Sequence, residues 1–125
     1  MMYHYTCEHG HAGLGDGGWT LPNWNPIIGA HLTWFTDMDT PDRDTLGLTS
    51  ETGLLSCDRL TYRYKTVHPT GDGDIYPWLN SSEQAQTSPH TQADMQRFGD
   101  PARWFIARRQ VEVALDGAYR KKGRR

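Results

Sequence analysis

The stretch YHYTCEHGHAG, residues 3–13, puts three histidines and a cysteine within eight positions. Three kinds of chemistry fit such a cluster. Zinc accepts cysteine and histidine tetrahedrally, and Cys7, His9 and His11 joined by His4 or Cys57 would complete a set. Structural zinc sites ordinarily pair their ligands as Cys-x(2–4)-Cys or His-x(3–5)-His, whereas the spacing here is Cys-x-His-x-His. A Cys7 thiolate held by a histidine would be a nucleophile, although no local nucleophile signature surrounds it. The third possibility starts from a strand. If residues 2–6 are extended, His4 and Thr6 share one face and Tyr3 and Tyr5 the other. A histidine and a threonine side by side can hydrogen-bond a diol or an amide. HLTWFT, residues 31–36, offers Trp34 and Thr36 in the same alternating way, and Arg59 in LLSCDRLTYRY adds a cation where another strand begins. Such a set can hold a ribose, a flat ring and a phosphate. A polar sheet edge with internally satisfied side chains accounts for the same residues, and His9 and His11 then read as loop residues beyond the strand.

These side chains need elements to position them. The aromatic and β-branched residues at 2–6 favour a short strand. A short helix fits 8–16, weakened by Gly10, Gly13 and Gly15 and ended by Gly17-Gly18. WTLPNWNPIIGA, 19–30, reads as a loop punctuated by Pro22 and Pro26. In the 31–36 strand, Leu32, Trp34 and Thr36 share one face and Thr33 and Phe35 the other, so bulky residues on both sides suit a central strand. Thr40 can cap a short helix with Pro41 at its first position and Asp42 and Asp44 at its positive end. LTYRYKTV, 60–67, is the clearest strand, with Tyr62 and Tyr64 on one face and Thr61, Arg63 and Lys65 on a solvated or ligand-facing side. HPTGDGD, 68–74, is a turn. Residues 80–100 are polar with few anchors and read as a long loop with one helical turn at 92–98. ARWFIARRQVEVAL, 102–115, closes the fold with one or two strands, split near Arg108-Arg109. This order of elements predicts an α+β fold with a mainly antiparallel sheet, because the helices are too few and too short for a doubly wound one.

The 125 residues suffice for one domain, set here at 1–117. Only 36% are hydrophobic, so five tryptophans, six tyrosines and three phenylalanines must supply much of the core. A net charge of −2 argues against a global nucleic-acid footprint. The basic run Arg120-Lys121-Lys122-Gly123-Arg124-Arg125 reads as a solvated tail over 118–125. Residues 1–10 lack an apolar leader segment, and no run of 18 or more apolar residues exists to cross a membrane. With two cysteines only, the expected compartment is a reducing cytoplasm in which both thiols stay reduced.

"YHYT", a short glycine-ended helix and an aromatic strand ending in "WFT" together resemble the opening of ADP-ribosyltransferase-like domains. The pattern is similar to the His-x-Thr start of DNA ADP-ribosyltransferase toxins and RNA 2'-phosphotransferase relatives. "WFTDMD…LGLT" followed by "CDRLTYRY" also resembles small actinobacterial and actinophage proteins. The resemblance covers roughly residues 2–67, with the 104–115 strand. It implies a split α+β sheet with a cleft for NAD, and cleavage of the nicotinamide–ribose bond through an oxocarbenium-like state. His4 would bind the ribose next to nicotinamide, with Thr6 supporting it. Thr36 would brace the nicotinamide pocket, with Trp34 or a neighbouring tyrosine, Tyr62, stacking, and Arg59 would meet the pyrophosphate. A late-strand glutamate binds a ribose hydroxyl in that family and positions the acceptor, be it protein, nucleic acid or water. Glu112 in QVEVAL is the residue in that place. If Val111 and Val113 face the core, however, Glu112 faces away from it, and Glu51 and Glu83 fall in loops. The alternatives are a nucleotide- or partner-binding module of the same fold without turnover, and a small zinc-stabilised interaction domain.

Overall fold

The structure, a computed structural model, describes residues 1–39, 62–67, 74–97 and 99–118. The helix expected after Thr40, the 68–73 turn, Cys57, Arg59 and the basic run from Arg120 lie outside the described residues. The chain is a small α+β protein with two antiparallel sheets and short helices. Its strands are β1 (Tyr3–Thr6), β2 (Gly17–Trp19), β3 (Asn23–Asn25), β4 (Ala30–Phe35), β5 (Tyr62–Thr66), β6 (Ile75–Pro77), β7 (Phe105–Ala107) and β8 (Glu112–Ala118). The helices are α1 (Glu8–Leu14), α2 (Ser82–Gln86) and α3 (Pro89–Gln96), with a 3-10 turn at Pro101–Arg103.

One sheet runs β1-β5-β8-β2 and the other β3-β4-β7-β6. Among the described residues one isolated bridge joins them. Tyr3 and Thr36 exchange backbone hydrogen bonds of 2.8 and 2.9 Å, so the first strand touches the end of β4. The strands expected at 2–6, 31–36 and 60–67 appear as β1, β4 and β5, and the segment after residue 102 splits into β7 and β8 on either side of Arg108-Arg109.

Alternation along β4 fixes the layers. Leu32 and Trp34 face a cluster made with Ile28, Trp78, Trp104 and Ile106, against which Met95 of α3 packs. Phe35 faces the other way, into a cluster with Tyr64, Val113, Ile75 and Ala107 that fills the space between the sheets. Both faces of β4 are therefore covered, as its bulky residues require.

Two loop expectations are corrected. Residues 19–30 are not all loop. Trp19 ends β2, which pairs with β8, and Asn23–Asn25 form β3, which pairs with β4. Three-residue strands such as GGW and NWN carry no readable period, and their partners create them. Residues 80–100 hold two helices rather than one turn. Ser81 Oγ accepts from Gln84 N at 3.0 Å and Ser88 Oγ from Thr91 N at 3.1 Å, with Pro89 opening α3. The caps satisfy orphan amide groups that a polar helix otherwise leaves open.

The 8–16 helix is shorter than expected. It stops at Gly15, whose φ of +60° favours glycine, and Gly17-Gly18 open β2 instead of ending the helix. Among the described residues no helix is long and apolar enough to cross a membrane.

Candidate functional site

The inner face of the first sheet carries the histidine chemistry. His4 lies directly opposite Tyr64 and Thr6 opposite Tyr62, so all four side chains leave the sheet on one side. His4 is half-buried at the junction of the two sheets. Its Nδ1 lies 2.7 Å from the Trp34 carbonyl oxygen, and its ring is 5.6 Å from that of Phe35. A carbonyl only accepts, so Nδ1 carries the proton and donates, and Nε2 is the acceptor of the neutral ring.

Helix α1 lies over the same face, farther along. A Cβ at Gly10 would sit 2.0 Å from Thr6 Oγ1, so the absent side chain is what lets the helix approach. His11 stacks on Tyr62, with centroids 4.0 Å apart and planes at 12°. Tyr64 is fully buried, and its hydroxyl donates to Gly15 O at 2.7 Å. The same oxygen then accepts from His11 Nδ1 at 2.7 Å. Burial, followed by the charge of Asp16 and by Tyr62, pushes the Tyr64 phenol above its ordinary value, which keeps the donor proton in place.

The expected nucleotide-site residues are only partly brought together. His4 stands at the junction of the sheets. Thr6 is buried beneath α1, and Tyr62 is taken up by His11. Trp34 points to the opposite side of β4 from the His4 ring, where it packs 5.3 Å from Trp78 and 6.0 Å from Trp104. It is half-buried, packs against the core there and does not stack beside His4. Thr36 is buried, and its Oγ1 accepts from Met38 N at 3.2 Å. Arg59 lies outside the described residues.

Glu112 is separated from His4. Val113 is buried and aligned with Thr66, and Leu115 is aligned with Tyr64, so both face inward. Glu112 alternates with them and leaves the opposite face, opposite Trp19 on β2. The His4–Glu112 pair expected from the resemblance is therefore not assembled. On that outer face Arg63 meets Asp116 at 2.7 Å and lies 5.1 Å over the Tyr3 ring, and Lys65 reaches Asp116 at 3.6 Å.

Glu83 departs furthest from its loop assignment. It sits on α2, buried, and its carboxylate takes Arg108 Nε at 2.5 Å and Nη2 at 2.7 Å. No group of three or more His, Cys, Asp or Glu among the described residues is arranged to hold a metal ion. Within the cysteine–histidine cluster, His4 turns to Trp34 O and His11 to Tyr64.

His11 falls within the helix expected at 8–16, so the alternative reading of it as a loop residue beyond the first strand is corrected. The signal was its spacing with Gly10 and Leu14, which puts all three on the face of α1 that meets the sheet. No protein-family model, curated protein or solved structure matches this chain.

Proposed function

We propose that this chain is a nucleotide-binding module of the ADP-ribosyltransferase-like type, which holds NAD beside His4 at the junction of its two sheets and does not turn it over through His4 and Glu112. The observation that carries this reading is His4 itself. Its ring is held where the first strand meets the second sheet, and the Trp34 carbonyl fixes its tautomer so that Nε2 is the acceptor. An imidazole acceptor fixed in this way suits a sugar hydroxyl donor. Binding is favoured over transfer because Glu112 leaves the opposite face of the sheet.

The test is calorimetric titration of NAD into wild type and His4→Asn, with nicotinamide followed by chromatography in the same samples. Asparagine keeps a donor for Trp34 O and removes the Nε2 acceptor. The expected result is saturable NAD binding by wild type, at least tenfold weaker binding by the variant, and no nicotinamide released. Release that depends on His4 would replace the binding reading by NAD cleavage or ADP-ribosyl transfer. No binding at millimolar NAD would refute the nucleotide assignment altogether.

A further inference from the structure

Among the described strands, β3 is an edge of its sheet. It has three residues, Asn23-Trp24-Asn25, held between Pro22 and Pro26. Trp24 is 56% exposed and meets the exposed His31 ring at 5.1 Å across the β3–β4 pair. Leu21 and Ile27, before and after the strand, are exposed as well. Between Asp16 and Asp37 the sequence carries no Asp, Glu, Lys or Arg, although 22% of the whole chain is charged. Tryptophan on a surface depleted of charge is the composition of an interface core.

Two features point to what covers this edge. The first is the backbone. Asn25 O accepts from Gly29 N at 2.7 Å on the β4 side. Backbone groups alternate in direction along a strand, so the N–H and C=O of Trp24 point to the free edge. The second is the order of residue types. Read in either direction, the segment is Pro-Asn-Trp-Asn-Pro. An antiparallel pair with a second copy, centred on Trp24, sets Trp24 opposite Trp24 and Asn23 opposite Asn25, with no like charges facing each other. Proline has no N–H to offer, so Pro22 and Pro26 end the pairing on both sides and fix its register. The other edge of the same sheet, β6, carries Pro77, which disfavours a head-to-tail β3–β6 pairing that would build a filament.

We propose that β3 pairs edge to edge with β3 of a second copy of this chain, in a two-fold dimer whose axis passes between the two Trp24 residues. Each Trp24 N–H donates to the Trp24 carbonyl of the other copy. The two indoles lie side by side on one face of the joined sheet, and each keeps its His31 ring on the far side. The contact is smaller than a standard interface, which buries about 1,200 Å² or more, so the dimer forms reversibly at high-micromolar concentration. Trp24 pairs with the start of β4, whereas His4 stands at its end, so the dimer stands or falls independently of the nucleotide reading.

The experiment has two arms. Analytical ultracentrifugation from micromolar to millimolar protein compares wild type, Trp24→Lys and Val67→Thr, with thermal unfolding to confirm that each variant folds. Val67 is exposed at the end of β5, in the other sheet. Wild type is expected to dimerise reversibly. Trp24→Lys, which sets two like charges face to face, should associate at least tenfold more weakly, and Val67→Thr within about twofold of wild type. The second arm oxidises Trp24→Cys and Asn23→Cys, each in a Cys57→Ser background. Directly opposed residues of a hydrogen-bonded antiparallel pair have Cα atoms about 5.5 Å apart, within disulfide range. Trp24→Cys should therefore cross-link to itself. Asn23→Cys should not, because position 23 opposes position 25 and the two copies of residue 23 are too far apart. A wild type that stays monomeric at millimolar concentration would overturn the inference. So would association undiminished in Trp24→Lys, or cross-linking of Asn23→Cys as fast as that of Trp24→Cys. A monomer that sediments with phosphatidylcholine vesicles, and ceases to do so in Trp24→Lys, would overturn it in favour of a lipid surface.

Discussion

Arg108→Ala is the perturbation whose outcome the structure defines most fully. The Glu83 side chain is 6% exposed and that of Arg108 39% exposed. Two parallel contacts join them, and Arg108 Nη2 also donates to Ser82 Oγ at 3.2 Å while its guanidinium lies 4.5 Å over the Tyr76 ring. This contact ties α2 to the end of β7. Removing one partner of a fully buried pair costs about 3–5 kcal/mol, because the other charge is left without compensation. Arg108 is partly solvated, which lowers the figure to about 2–3 kcal/mol. The pH dependence has a definite sign. Arg108 holds the Glu83 carboxyl below its ordinary value, against the opposing effect of burial. In wild type this contribution is whole above the unfolded carboxyl pKa and is lost as pH falls through the lower folded one. In the variant burial is opposed only by the hydrogen bonds from the backbone and from Ser82. The contribution that Glu83 loses on acidification is therefore smaller in the variant than in wild type. The deficit of Arg108→Ala should therefore be largest near neutrality and narrow as the carboxyl range is entered. Denaturant unfolding of both proteins at several pH values measures it. A deficit below about 0.5 kcal/mol at neutrality, the level of an exposed ion pair, or one that stays constant on acidification, would refute the reasoning.

Three further substitutions test the layers around His4. Gly10→Ala should destabilise by about 1–3 kcal/mol through overpacking against Thr6, although the same change in an open helix stabilises by up to about 1 kcal/mol; chemical denaturation decides the sign, and Thr6→Ala in the same chain should relieve the penalty. Tyr64→Phe removes the oxygen shared by His11 and Gly15 and should cost about 1–3 kcal/mol, with a shift of the His11 ring signals in nitrogen-15 spectra; unchanged signals would refute the contact. Trp34→Ala removes a half-buried ring packed on the core and should cost about 2–3 kcal/mol, below the roughly 3–5 kcal/mol of a fully buried aromatic, and a cost below about 1 kcal/mol in thermal or chemical unfolding would return Trp34 to the role of an exposed stacking residue.

Side-chain alternation made part of this arrangement legible. LTYRYKTV shows which tyrosines share a face, and LTWFT shows that both faces of its strand must be covered. The β2 and β3 strands were hidden because GGW and NWN become strands only through β8 and β4. The 80–100 helices were hidden because they lack an apolar stripe, and among their described residues Met95 is the apolar one that reaches the core, yet the serines before each helix and Pro89 were visible capping signals.

The placement of Glu112 shows how far a local pattern can decide a functional question. On β8, a residue faces inward or outward according to register, and a slip of one position exchanges the two sets. To bring Glu112 inward, Val113 and Leu115 would have to turn out of the space between the sheets. Fully burying such a side chain contributes roughly 1.5–3 kcal/mol; Val113 is buried and Leu115 half-buried, so the slip would forfeit on the order of 2–4 kcal/mol and place a carboxylate among Phe35, Tyr64 and Ile75 instead. The register is also fixed on the far side of the sheet. Between Arg63 and Tyr64 the pairing with β8 shifts by one residue, and the extra residue, Asp116, is the one that meets Arg63 and Lys65. A slipped β8 would lose those ion pairs as well. If nicotinamide release is found, the acid that assists it must therefore be sought at a position other than Glu112, and Glu112→Gln should leave both NAD affinity and the rate of release within a factor of two of wild type.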